Sequence, residues 1–193
     1  MGFLPGIHVM PGGRVDPPDA LPSGFPGAPH PAVAAALGGK RPPITFLHAA
    51  LRETFEETGL LAGIPFDGAK AAPTSPFWQA YRNAGLAPDY VGLDYLCRAI
   101  TPVTSKRRFN TRFFLGDGNH VGGILAGNGE LEDLAWHPVA KLAELTLVDV
   151  TQYALETALA RWKAQSAIGS SGAKLLNYRK DIMTLSRQRQ PRG

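Results

Sequence analysis

The run from Thr45 to Gly59 constrains this chain more than any other. Phe46, Leu47, Ala50, Leu51 and Phe55 recur at three- and four-residue spacing, the pattern of a helix from Thr45 to Thr58 with one broad apolar stripe. Thr45 stands where an N-cap hydroxyl accepts a free backbone N–H, and Gly59 where helices end in a left-handed residue. On such a helix Glu53 lies one turn from Glu56 and Glu57, at i+3 and i+4, so three carboxylates gather on one edge and repel. A divalent cation removes that repulsion. Hard carboxylate oxygens suit Mg2+, with Mn2+ as a substitute, and these ions in turn bind diphosphate oxygens. Arg52, beside the cluster, is placed to orient one carboxylate through a bidentate pair. A solvated acidic face shares this spacing. Two features separate the readings: Leu51 and Phe55 anchor the opposite face, and Gly59 ends the helix directly after the acids.

Around this helix the pattern is mixed α and β in one domain. A short apolar lead, Phe3–Met10, ends in the turn Pro11-Gly12-Gly13. Residues 17–43 are rich in Pro, Gly and Ala and sustain no long element beyond a short turn over Ala32–Leu37. A shorter helix is expected over Pro76–Asn83, strands over Val91–Ile100, Arg108–Leu115 and Leu131–Trp136, and helices over Pro138–Leu145 and Val148–Lys163. Residues 1–165 read as the folded domain and 166–193 as a basic C-terminal extension.

Composition narrows the function classes. No run approaches the ~20 apolar residues of a spanning helix, and no secretory leader is evident, so a cytoplasmic protein is expected. The single cysteine, Cys97, forms no internal disulfide and sits in an apolar stretch, which reads as core rather than nucleophile. The net charge of +4 invites a nucleic-acid reading, but Arg179, Lys180, Arg187, Arg189 and Arg192 crowd one tail with no interleaved aromatics. A nucleic-acid partner is therefore not expected. The five histidines show no ligand spacing, and no G-x-x-x-x-G-K-[ST] loop is present.

Arg52-Glu53-Thr54-Phe55-Glu56-Glu57-Thr58-Gly59-Leu60 resembles the second half of the Nudix box, R-E-U-x-E-E-x-G-U, with Thr54 in place of the aliphatic residue. Gly13, five residues, then Asp19 is similar to the G-x5-E opening, with Asp for Glu. The family leaves seven residues between that acid and the arginine; here positions 20–51 intervene, 32 residues, an insertion of 32 − 7 = 25. Insertions here mark a branch that includes coenzyme A diphosphatases. Further on, Arg107-Arg108-Phe109 with Thr111-Arg112-Phe113-Phe114 resembles the family's central strand, and Gly129-Glu130-Leu131 its late acidic loop.

The resemblance implies an α/β/α sandwich of the Nudix type with a mixed sheet, and Mg2+-dependent cleavage of a diphosphate in a small-molecule substrate. It implies metal ligands Glu53, Glu56, Glu57 and the Gly12 carbonyl, with Arg52 holding the cluster's geometry. Glu53 and Glu130 are the candidates for the base, Glu53 preferred, and Glu57 completes the catalytic set. Arg107, Arg108 and Arg112 are candidates for phosphate contacts, Arg108 and Arg112 sharing one strand face. Trp78, Tyr81 and Tyr90 read as core rather than as a base-stacking platform. Gly6, three residues, then Met10-Pro11-Gly12-Gly13 partly matches the end of a coenzyme A diphosphatase signature, so coenzyme A or its acyl esters lead among substrates. ADP-ribose, NADH and oxidised or capped nucleotides are the alternatives. A non-catalytic Nudix-fold binder typically lacks one of the three acids. Family members carry one or two strands before the Pro-Gly-Gly turn where this chain has ten residues, so either the start is truncated or the sheet edge is supplied otherwise, as by a partner subunit. The expectation is a homodimer or a chain only partly stable alone.

Overall fold

The computed structural model of the protein describes residues 6–20, 24–68, 75–102, 104–105, 108–170, 172–179 and 182–187. In chain order its elements are α1 (Pro31–Leu37), α2 (Pro43–Thr58), β1 (Leu60–Pro65), α3 (Pro76–Asn83), β2 (Leu86–Pro88), β3 (Asp94–Ile100), β4 (Asn110–Leu115), β5 (Val121–Gly123), α4 (Asp149–Lys163), β6 (Lys174–Arg179) and β7 (Ile182–Arg187). Short 3-10 helices lie at Pro17–Ala20, Gly118–His120 and Val139–Glu144.

The strands form two sheets. One is antiparallel in the order β2-β1-β5; the other is mixed, in the order β4-β3-β6-β7, with β3 and β6 parallel. The mixed sheet carries a core on each face. On one, Tyr95 and Phe114 join Leu47 and Leu51 of α2, Val33 and Leu37 of α1, and the α3 aromatics Phe77, Trp78 and Tyr81. On the other, Leu96, Cys97, Ala99 and Leu176 meet Ala154 of α4. Alternation of side chains lets β3 serve both cores, with a register shift between Tyr95 and Cys97. This is the expected α/β/α sandwich.

Several local expectations need correction. Helix α2 begins at Pro43, with Pro42 rather than Thr45 at the cap position. Proline at the first helical position has the right φ and lacks only an N–H that no helix would satisfy there, so it starts the helix two residues earlier. Leu131–Trp136 forms no strand. Asp133 there has a φ of 53°, in the left-handed region, which breaks an extended ladder. The tail that reads as a basic extension supplies β6 and β7, and Leu176 is fully buried between β3 and α4. The short strands β1, β2 and β5 had no periodic signal of their own. Arg107, Lys180, Arg189 and Arg192 lie outside the described residues.

The insertion within residues 20–44 enters the core instead of lying on the surface. Val33 and Leu37 are buried, and Phe25 packs edge-on or tilted against Phe66, Trp78 and Tyr81. Trp78 and Tyr81 are buried, as is Tyr90. Among the described residues no helix is long and apolar enough to cross a membrane. Cys97 is fully buried, and burial pushes its thiol up to about 12. The native protein is therefore expected to resist iodoacetamide at pH 8, with alkylation appearing only on denaturation in a mass-shift assay.

Candidate active site

The geometry of the acidic helix is set by Arg52. Its Nε donates to Asp19 Oδ1 at 2.9 Å and its Nη2 to Asp19 Oδ2 at 3.1 Å, a bidentate fork. Nη2 also donates to the Arg14 carbonyl at 2.9 Å, while Nη1 meets Glu56 Oε2 and Glu53 Oε1, each at 2.9 Å. All five N–H directions of the guanidinium are thus engaged. The pairing with Asp19, first by hydrogen bond, raises the Arg52 pKa further still. Asp19 is the buried anchor, its side chain 3% exposed, and it also receives the Asp16 N–H at 2.7 Å.

A second contact fixes Asp19 from behind. His48, one turn before Arg52 on α2, is 2.9 Å from the Asp19 carbonyl through Nδ1 and 2.9 Å from the Tyr90 hydroxyl through Nε2. A carbonyl only accepts, so Nδ1 carries the proton. Burial lowers the pKa of this imidazole, and the neutral ring then accepts the tyrosine O–H at Nε2. The buried chain from Tyr90 to His48 to Asp19 therefore holds the arginine that holds Glu53 and Glu56.

The Pro-Gly-Gly turn closes over the acids. The Gly12 N–H donates to Glu57 Oε2 at 2.8 Å. A Cβ on Gly13 would stand 2.4 Å from the Glu53 carboxylate, so only glycine allows this approach. Gly13→Ala is expected to displace Glu53 and lower turnover by at least about tenfold, with the fold retained, read by steady-state kinetics beside circular dichroism. Gly59 ends α2 with φ 74°, and a Cβ there would be 2.5 Å from the Ile124 carbonyl. The following loop reaches the helix end, where Ala126 N–H caps Thr58 O at 2.9 Å. Glu130, exposed on that loop, adds its charge to those acting on Glu57.

The electrostatics are those of crowded anions. Burial, then neighbouring carboxylates, raises Glu57, against the Gly12 N–H. Burial also raises Glu53, and Arg52 opposes it. Of the three carboxylates on adjacent turns, Glu53 and Glu56 share the one guanidinium and Glu57 has only a backbone N–H, a donor chemistry that fits a hard divalent ion. Among the described residues no group of three or more His, Cys, Asp or Glu side chains gathers around a common point, because Arg52 draws Glu53 and Glu56 while Gly12 draws Glu57.

The structure brings Arg52, Glu53 and Glu56 into contact and Gly12 against Glu57, with the Gly12 amide rather than its carbonyl turned to Glu57, and leaves Glu130 near enough for its charge to act on Glu57. Arg108 stands exposed before β4 begins at Asn110, outside the strand that carries Arg112. Arg112 is half-buried, its Cζ 3.9 Å from the Phe46 ring centroid. His48 escaped sequence reasoning. Its only signal was its place one turn before Arg52 on the same helix. A cavity of about 620 Å3 between Leu115–Asn119 and Arg161–Ile168 is lined by none of these residues.

No family model matches the chain. It is 29% identical, over 59% of its length, to acyl-coenzyme A diphosphatase NUDT19 of Gallus gallus, and spans less than half, 44%, of that protein. Its structure is similar to the crystal structure of a Nudix hydrolase from Alicyclobacillus acidocaldarius, with a TM-score of 0.59 and 33% identity, covering 83% of this chain and 79% of that one. With a relative of that identity and coverage, and an R-E-x-x-E-E-x-G helix held as described, the chain belongs to the Nudix hydrolase family.

Proposed function

We propose that the protein hydrolyses the diphosphate bond of a nucleoside diphosphate linked to another moiety, with Mg2+ as cofactor, and that coenzyme A or an acyl-coenzyme A is the substrate. The observation that carries this reading is the set of three carboxylates held by Arg52, Gly12 and Gly13 on one helix edge. Glu53, Glu56 and Glu57, with the Gly12 backbone, would hold the metal. When bound, Mg2+ polarises phosphoryl oxygens and lowers the pKa of an attacking water.

The chain's own groups supply the rest. Arg52, saturated by its partners, keeps Glu53 and Glu56 at fixed orientation instead of leaving them to repel. Glu53, mostly buried and with its affinity for a proton raised, is suited to accept the proton of the attacking water. Glu130, exposed on the adjacent loop, is the alternative base. The similarity to an acyl-coenzyme A diphosphatase supports the choice of substrate.

The test is product analysis with Mg2+ and with chelator over coenzyme A, acyl-coenzyme A, ADP-ribose, NADH, diadenosine polyphosphates and nucleoside triphosphates. Metal-dependent release of a phosphopantetheine product is the expected result. Preferential cleavage of another class would replace the substrate, and cleavage of none would overturn the reaction.

A further inference from the structure

On the α2 side of the mixed sheet Arg112 faces Arg98 and feels the charge of Arg41, and among the described residues no acid pairs with any of the three. Arg98 and Arg112 are direct partners across β3 and β4, so their side chains leave the same face. That face carries Tyr95 and Phe114 into the core shared with α2. Arg112 lies over the Phe46 ring, its Nε buried without a hydrogen-bond partner. Arg41 is exposed two residues before α2 begins and five before Phe46, and its charge is felt at Arg112. Among the described residues none of the three enters an ion pair, and Arg98 Nε meets only the neutral Asn110 Oδ1, at 2.7 Å. The first turn of α2 adds to the positive potential, having neither an acidic residue nor a side-chain cap.

The position of this cluster relates it to the acids. Phe46, Glu53 and Glu57 are seven and four residues apart and so share one stripe of α2, within about 20° of a common direction. Along the axis Phe46 precedes Glu53 by about 10 Å. A molecule whose diphosphate lies against Glu53 and Glu57 and whose body follows that stripe ends at the arginines. Like charges held together at a half-buried site cost free energy that a dianion removes, and guanidinium forks match phosphate oxygens.

We propose that Arg41, Arg98 and Arg112 form a subsite for a phosphate monoester on the nucleoside side of the substrate, separate from the scissile diphosphate. The inference rests on the diphosphate reading of the acidic helix. It adds a second recognition element that selects nucleotides carrying an extra phosphate on the ribose.

Calorimetry on the full chain in metal-free buffer tests it, with adenosine 3′,5′-bisphosphate, adenosine 5′-monophosphate and inorganic phosphate as probes. None has a P–O–P bond, so the result is independent of turnover. The bisphosphate is expected to bind at least about tenfold tighter than the monophosphate, with a steep salt dependence. That preference should fall severalfold in Arg98→Gln and in Arg41→Gln, an exposed position, and vanish in Arg112→Gln. Equal binding of the two nucleotides, a preference that survives both Arg41→Gln and Arg98→Gln, or inorganic phosphate competing as well as the bisphosphate would overturn the subsite. Diphosphate cleavage without the preference would leave the reaction standing and remove the subsite. The preference without cleavage would do the reverse.

Discussion

Glu57→Gln is expected to lower kcat by at least about a hundredfold while unfolding no earlier than the parent in metal-free buffer. Glu57 is 8% exposed, and burial together with Glu53, Glu130 and Glu56 opposes its ionisation. Its folded pKa is therefore raised above the unfolded value. The native state holds the proton more tightly, so the stability it contributes is complete below the unfolded pKa and is lost as pH rises through the folded one. Glutamine removes that cost at neutral pH and still offers an oxygen to the Gly12 N–H. Mg2+ should reverse the order, raising the melting temperature of the parent by mass action and leaving the variant nearly unmoved. Melting curves with and without Mg2+, beside kcat, check both halves. Undiminished turnover in the variant would remove Glu57 from the catalytic set, and a large fall in metal-free stability would make its role structural.

The second large effect is expected at Asp19. Asp19→Ala leaves Arg52 partly buried and without its bidentate acceptor, and breaking one side of such a pair costs about 3–5 kcal/mol. For a chain of this size that corresponds to a melting temperature lower by roughly 6–20 °C. Turnover should fall even at temperatures where the variant is folded. Arg52 released from Asp19 no longer holds Glu53 and Glu56 in one orientation. Asp19→Asn, which keeps the shape and one acceptor, should lie between. Thermal denaturation with an assay well below the variant's transition separates the two consequences. A variant as stable and active as the parent would show that the fork is dispensable. This outcome would surprise most, since the acid lies 33 residues before its partner and the chain between them enters the core.

Legibility in the sequence followed the range of the forces involved. The acidic helix was readable because its information is local: apolar residues at helical spacing, acids at i, i+3 and i+4, and Gly59 where the left-handed end falls. Helices α3 and α4 were readable for the same reason, as were β3 and β4 from their aromatic and branched residues. Strands β1, β2 and β5 were not, being three to six residues long and rich in Gly and Pro. They exist because β1 has partners on both sides, and pairing is a property of the sheet rather than of the strand. Strands β6 and β7 were hidden by basic residues that suggested a solvated end, although Leu176 alternates into the core.

The sequence by itself determined the chemistry on offer: three carboxylates and an arginine on one helix edge, and a Gly-Gly turn able to approach them. Tertiary structure alone decided how those groups are held. It brought Asp19 across the insertion to fork Arg52, set His48 and Tyr90 behind it, and laid Arg112 over Phe46 opposite Arg98. Each is a contact between residues far apart in the chain, formed only when burial of the intervening apolar side chains offsets the entropy of closing the loop.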